Sequence, residues 1–107
     1  MAEVMIYIKI HGAENGDIIA MCDSDLLGRE IREGEIEINL RDYSDFYKGE
    51  LASGEKVVKM LKPERLLSAN IVGRESVAVA VKAGVIDSAS IKKVSKIPYA
   101  YAFRIKY

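Results

Sequence analysis

Ser68-Ala69-Asn70-Ile71-Val72-Gly73-Arg74-Glu75-Ser76, running into Val77-Ala78-Val79-Ala80-Val81 and closing at Gly84, is the longest low-charge run in the chain. Whatever else folds must pack around it. Val77, Ala80, Val81 and Gly84 follow the i, i+3, i+4, i+7 spacing of one helical face, and Gly84 stands where a helix would end. The alternation of Val and Ala also fits a strand, but Ala is a weak strand former. A buried, central helix is the favoured reading, with Asn70-Ile71-Val72-Gly73 as its lead-in, a turn or very short strand.

Working outward, Ser53 is placed to cap a helix with Glu55 in its first turn and Val57, Val58 and Leu61 on one face. Pro63 then breaks that helix or starts a further turn. Toward the N-terminus, Val4-Met5-Ile6-Tyr7-Ile8-Lys9-Ile10 and Ile18-Ile19-Ala20-Met21-Cys22 read as two strands of a hairpin, with Asn15-Gly16 at its turn. Asp23 to Gly28 leaves the sheet as a one-turn helix or compact loop. Residues 35–40 alternate with period two, which makes a half-exposed strand with Ile36, Ile38 and Leu40 inward.

At the far end, Ile97-Pro98 leads into Tyr99-Ala100-Tyr101-Ala102-Phe103-Arg104-Ile105-Lys106-Tyr107, which alternates strictly. The aromatic face is expected to be the core side of a last strand and the Ala, Arg and Lys face to be solvated. The opposite assignment would expose the aromatics as a binding surface. The sum is one α+β domain over residues 1–107, a small antiparallel or mixed sheet of four to five strands with two to three helices packed on one face.

Half the residues are hydrophobic and 30% are charged, the balance of a globular chain. No apolar run reaches the roughly 20 residues that span a bilayer. The first residues show no signal-peptide pattern, so a cytoplasmic location and no membrane partner are expected. One Cys and one His exclude a disulfide and a cysteine-rich zinc site, so no metal or cofactor is expected. Gln, Thr and Trp are missing while Glu, Lys and Arg abound, a bias of thermophile proteins. Net charge is zero, yet residues 1–50 hold 5 basic against 12 acidic residues and residues 76–107 hold 6 against 1. Such asymmetry gives opposed faces or a homodimer interface, unless folding interleaves the charges.

The ordered set Met21-Cys22-Asp23, Leu26-Leu27-Gly28, Arg32-Glu33-Gly34, Phe46-Tyr47-x-Gly49-Glu50-Leu51, Asn70-x-Val72-Gly73, Ala80-x-x-x-Gly84-x-Ile86 and Ile97-Pro98-Tyr99-Ala100 resembles a small archaeal family, domain of unknown function 424. The resemblance runs from about residue 5 to residue 104. It implies a cytosolic archaeal protein with a loose association with translation, and it supplies no catalytic residues to carry over.

Read as chemistry, the basic C-terminal segment is the sharpest feature. Lys92, Lys93, Lys96, Arg104 and Lys106 with Tyr99 make the phosphate-plus-stacking combination of single-strand binders. Arg29, Arg32, Asn70, Gly73 and Arg74 are candidates for an anion or other ligand, Gly73 and Arg74 because a helix N-terminus suits phosphate. Cys22 beside Asp23, with His11, is the one place for a thiolate nucleophile, and a core cysteine is the more ordinary role. The acids Asp23, Asp25, Glu30 and Glu33 do not form a calcium loop. The expectation is a non-catalytic nucleic-acid or ribonucleoprotein-associated module. A protein-interaction or dimerisation module built on the aromatics of residues 43–51, or a small enzyme using the loop of residues 23–34, is the alternative.

Overall fold

The computed structural model describes residues 5–103. In chain order the elements are β1 Ile6–Ala13, β2 Gly16–Asp23, β3 Glu30–Glu33, β4 Ile36–Asn39, α1 Ser44–Tyr47, β5 Glu50–Ala52, α2 Gly54–Met60, β6 Leu66–Val72, α3 Arg74–Lys82, β7 Lys92–Val94 and β8 Ile97–Phe103. Single 3₁₀ turns stand at Pro63–Arg65 and Ser88–Ser90.

The fold is α+β around a mixed six-stranded sheet, in the order β5-β1-β2-β6-β8-β7, with β3 and β4 forming a separate two-stranded ribbon. The sheet is thus larger than four or five strands. The extra members, β5 and β7, are three-residue edge strands with no room to display a period. Four neighbouring pairs are antiparallel; β2 and β6 at the centre run parallel, Ile18 opposite Ser68 through Cys22 opposite Val72. The opening hairpin forms, but Ala13 pairs with Gly16, so its two-residue loop is Glu14-Asn15, one residue earlier than expected.

The lead-in reading of residues 70–73 is overturned. Leu66–Val72 is a full central strand, because β2 on one side and β8 on the other satisfy its backbone and bury Ala69, Ile71 and Val72. Small and polar residues suffice there. The helix after it is as expected: α3 buries Ser76, Val77, Val79 and Ala80. It ends in a Schellman turn, Gly84 (φ +80°) giving its N–H to Val81 and Val85 its N–H to Ala80. Ser53 caps α2, its Oγ accepting from the Lys56 N–H at 3.2 Å, and Pro63 starts the 3₁₀ turn.

Period-two alternation decides which sheet face each strand residue joins. Ile6, Ile8, Ile19, Met21, Ala69, Ile71 and Ala100 pack beneath α2 and α3. Ala20, Cys22, Val72 and Tyr99 face the other way, where Leu26, Ile31, Ile38, Leu40, Val94 and Tyr47 cover them. The covering is therefore two-sided: α2 and α3 lie on one face, and α1 with the ribbon lies on the other. The charge of residues 29–34 hid β3, which anchors only Ile31. In the ribbon Ile38 is buried, but Ile36 points to solvent at 44% exposure.

The last strand contradicts the expected split of its faces. Ala100 is buried beneath α3, so the small-residue face is a core side; on the aromatic face Tyr99 is buried by the ribbon while Tyr101 and Phe103 are exposed, at 57% and 77%. Small side chains are what close packing of a helix on that strand requires.

Candidate functional site

Because β2 and β6 are parallel neighbours, their C-terminal ends lie side by side, and the chain leaves one through Asp23 and the other through Gly73. Crevices beyond the carboxyl ends of parallel strands are where open sheets place ligands. Here α3 begins at that point, and its free N–H groups need acceptors. The Asp23 carboxylate supplies them: Oδ2 accepts from the Glu75 N–H at 3.1 Å, and Oδ1 accepts from the Ser76 N–H and the Ser76 hydroxyl, both at 2.8 Å. Asp23 is 5% exposed and Ser76 wholly buried. Gly73 takes φ +111°, and a Cβ there would lie 2.4 Å from the Asp23 carboxyl carbon. Its own N–H is given to the Pro98 carbonyl at 2.8 Å.

The expectation that Gly73 and the α3 N-terminus present their amides to an anion is therefore corrected. An internal carboxylate already occupies that position, and Gly73 is buried and serves to let the carboxylate approach. Arg74 remains exposed beside it.

Beyond Asp23 opens a cleft of about 360 Å³ to which Asp25, Arg29, Arg74, Glu75 and Lys96 contribute. Its cations come from three separate parts of the chain: Arg29 from the loop after β2, Arg74 from the first residue of α3, and Lys96 from the turn between β7 and β8. Among the described ion pairs none involves these three. The turn is itself unusual, since Ser95 (φ +49°) and Lys96 (φ +69°) both adopt left-handed conformations without being glycine. Val94 pairs with Ile97 across it, the geometry of a two-residue hairpin loop. The Ser95 N–H donates to Glu33 Oε1 at 2.8 Å, which ties the turn to the ribbon.

Other candidates lie elsewhere. Arg32 is on the ribbon, paired with Glu37 at 3.2 Å and outside the cleft. Lys92 and Lys93 are exposed on the edge strand β7. Tyr99 is buried at 8% exposure under the ribbon and cannot stack on a base. Arg104 and Lys106 lie outside the described residues. Asn70 lines a second cavity, of about 240 Å³, with Tyr43, Tyr47 and Tyr101. The sequence offered Tyr101 only as one aromatic of the last strand that could stack bases and Tyr43 only as a protein contact; the register of β6 and β8 is what brings Tyr101 opposite Asn70.

The cysteine site dissolves. His11 pairs with Ile18 and Cys22 with Tyr7, four residues apart along one strand, or roughly 13 Å. His11 instead stacks on Phe46, ring centroids 5.0 Å apart. Burial pushes the Cys22 thiol up to about 12, with the charges of Asp23 and Asp25 adding to the effect, which leaves it protonated and unreactive at neutral pH. Of the aromatics in residues 43–51, Tyr47 is buried and Phe46 half-buried, and Tyr43 alone is strongly exposed. No helix among the described residues is long and apolar enough to cross a membrane.

No curated protein matches the chain. The crystal structure of an uncharacterized conserved protein from Methanopyrus kandleri is similar in fold, with a TM-score of 0.76 at 22% identity over 96% of both chains. The family model for the proteins of unknown function designated DUF424 matches residues 10–105, and with the arrangement of strands and helices described above the chain belongs to that family.

Proposed function

We propose that this chain is a non-catalytic RNA-binding module that works within a ribonucleoprotein, and that Arg29, Arg74 and Lys96 contact the phosphate backbone. The observation that supports this reading is the convergence of three cations, none in an ion pair among the described residues, from distant parts of the chain on one cleft. Unpaired surface cations held in a concave site attract phosphate, whereas paired ones are largely neutralised. Lys92 and Lys93 extend the positive charge along β7, beside the cleft.

Asp25 and Glu75 share the rim of the cleft, so its charge is mixed. The acids limit affinity for an anion. The Asp23 carboxylate does not compete with phosphate for the cleft cations, since its oxygens accept from the start of α3. The test is fluorescence anisotropy of labelled single-stranded RNA across a salt series, with wild type and the Arg74→Ala and Lys96→Ala variants. Binding that weakens with salt, with a shallower salt slope in each variant, is the expected result. Absence of binding at low salt, or variants with the wild-type slope, would remove the reading.

A further inference from the structure

Asn70 sits mid-strand in β6, where asparagine is an unfavourable choice. Its register partners are Ala20 on β2 and Tyr101 on β8, and Ala20 pairs in turn with Lys9. These residues form one row across the sheet face that α1 and the ribbon cover only in part. The neighbouring row, Tyr7, Cys22, Val72 and Tyr99, is mostly beneath the ribbon. In the row of Asn70, Ala20 is buried, and the 240 Å³ cavity opens beside it, with Asn70 and Tyr101 in its wall.

The half-buried Asn70 amide makes no hydrogen bond with any described residue, in contrast to Asn39 on the same cavity wall. That amide donates to Asp42 and accepts from the N–H groups of Arg41 and Asp42. An unused amide presents a donor and an acceptor side by side in one plane. The rings around it are exposed: Tyr43 at 65% and Tyr101 at 57%. The acid in the cavity wall, Glu37, is engaged by Arg32. A planar ring bearing an adjacent donor and acceptor on its edge, with two faces to be stacked, matches all of these features. Unstacked bases are recognised in this manner, by aromatic stacking and edge hydrogen bonds.

We infer that the Asn70 cavity is a pocket for a nucleobase of single-stranded RNA, in which Asn70 hydrogen-bonds the base edge and Tyr43 and Tyr101 supply stacking surface. The identity of the ring as a base rests on the RNA reading of the cleft. The two sites are linked along β8: Pro98 lines the cleft and Tyr101 the pocket, three residues or roughly 10 Å apart. Lys92 pairs with Tyr99 between them, so a cation lies on the connecting path.

The experiment is a ¹H–¹⁵N NMR titration of the wild-type chain with adenosine and with uridine, beside N-acetyltyrosinamide as a protein-like ring. RNA affinity of Asn70→Ala and Tyr101→Leu is measured in parallel. Saturable shifts of the Asn70 side-chain amide and the Tyr101 backbone with a nucleoside are expected. Roughly tenfold weaker RNA binding in each variant should accompany them, with the salt slope unchanged, since no phosphate contact is lost. Nucleosides that shift neither residue would overturn the pocket even where RNA binds the cleft. Shifts by N-acetyltyrosinamide alone would overturn it too and mark a protein-docking site. Nucleoside shifts without RNA binding would support the pocket and remove the RNA reading instead.

Discussion

Asp23 carries more of the fold's stability than any exposed ion pair, and it does so through one carboxylate. The pairs Arg32–Glu37 and Lys56–Glu50 are largely solvated, and such pairs contribute about 0–1 kcal/mol each. Asp23 is buried, and its loss would strand the Glu75 and Ser76 N–H groups and the Ser76 hydroxyl at the start of α3. Asp23→Ala should therefore lower stability by about 3 kcal/mol. Asp23→Asn should cost less, because it keeps the shape and one acceptor. Gly73→Ala should be as damaging as Asp23→Ala, since a methyl at φ +111° meets that carboxylate. Urea denaturation of the three variants checks this, and an Asp23→Ala midpoint equal to wild type would refute it. Cys22 supplies the pH dependence at this scale. Its folded-state thiol is raised from 9.0 to about 12, so between those values the unfolded chain loses the proton first and stability falls as pH rises. The contribution is at most about 1.4 kcal/mol per pH unit. Cys22→Ala should start less stable near neutrality, from the cavity it leaves, and lose less than wild type as the pH is raised above 9. Parallel slopes for the two proteins in alkaline urea titrations would count against the assignment.

At the scale of elements, legibility followed local signals. Ser53 announced α2 through its cap, and Val77, Ala80, Val81 and Gly84 announced α3 through period and C-terminal glycine. β6 was hidden because Ser68, Ala69 and Asn70 are poor strand formers; its two neighbouring strands, with Ser68 opposite Ile18 and Phe103, override that preference. The candidate site was half legible. Arg29 and Arg74 were named from the sequence, but that Lys96 joins them depends on a turn whose residues, Ser95 and Lys96, lack the Asn-Gly signature of their conformation. That mismatch gives the element-scale prediction. Ser95→Asn with Lys96→Gly should relieve left-handed strain and stabilise the hairpin by about 1 kcal/mol. The same pair of changes removes a cleft cation, so RNA affinity should fall while the melting temperature rises. A double variant less stable than wild type would show that the turn is not strained.

For the whole molecule, the sheet sorts the chain's charge by position. β5, β1 and β2 come from the acidic first half and β6, β8 and β7 from the later, more basic part, so the two ends of the sheet differ in sign. The acidic ribbon is the exception. It crosses to the basic end, where Glu33 accepts the Ser95 N–H, and there the charges interleave. At this end of the sheet the cations outside the described ion pairs are Arg29, Arg74 and Lys96, which share their cleft with Asp25 and Glu75, and Lys92 and Lys93 on the adjoining edge. The size of that set fixes a number for the RNA experiment. Each phosphate contacted by a single strand contributes about −0.7 to the slope of log K against log salt, so three cleft contacts give about −2 and all five cations about −3.5. Arg74→Ala and Lys96→Ala should each make the slope shallower by about 0.7, and Glu75→Gln should raise affinity several-fold with the slope unchanged. A slope much steeper than about −3.5 would require phosphate contacts outside these five side chains and would move the interface away from the cleft.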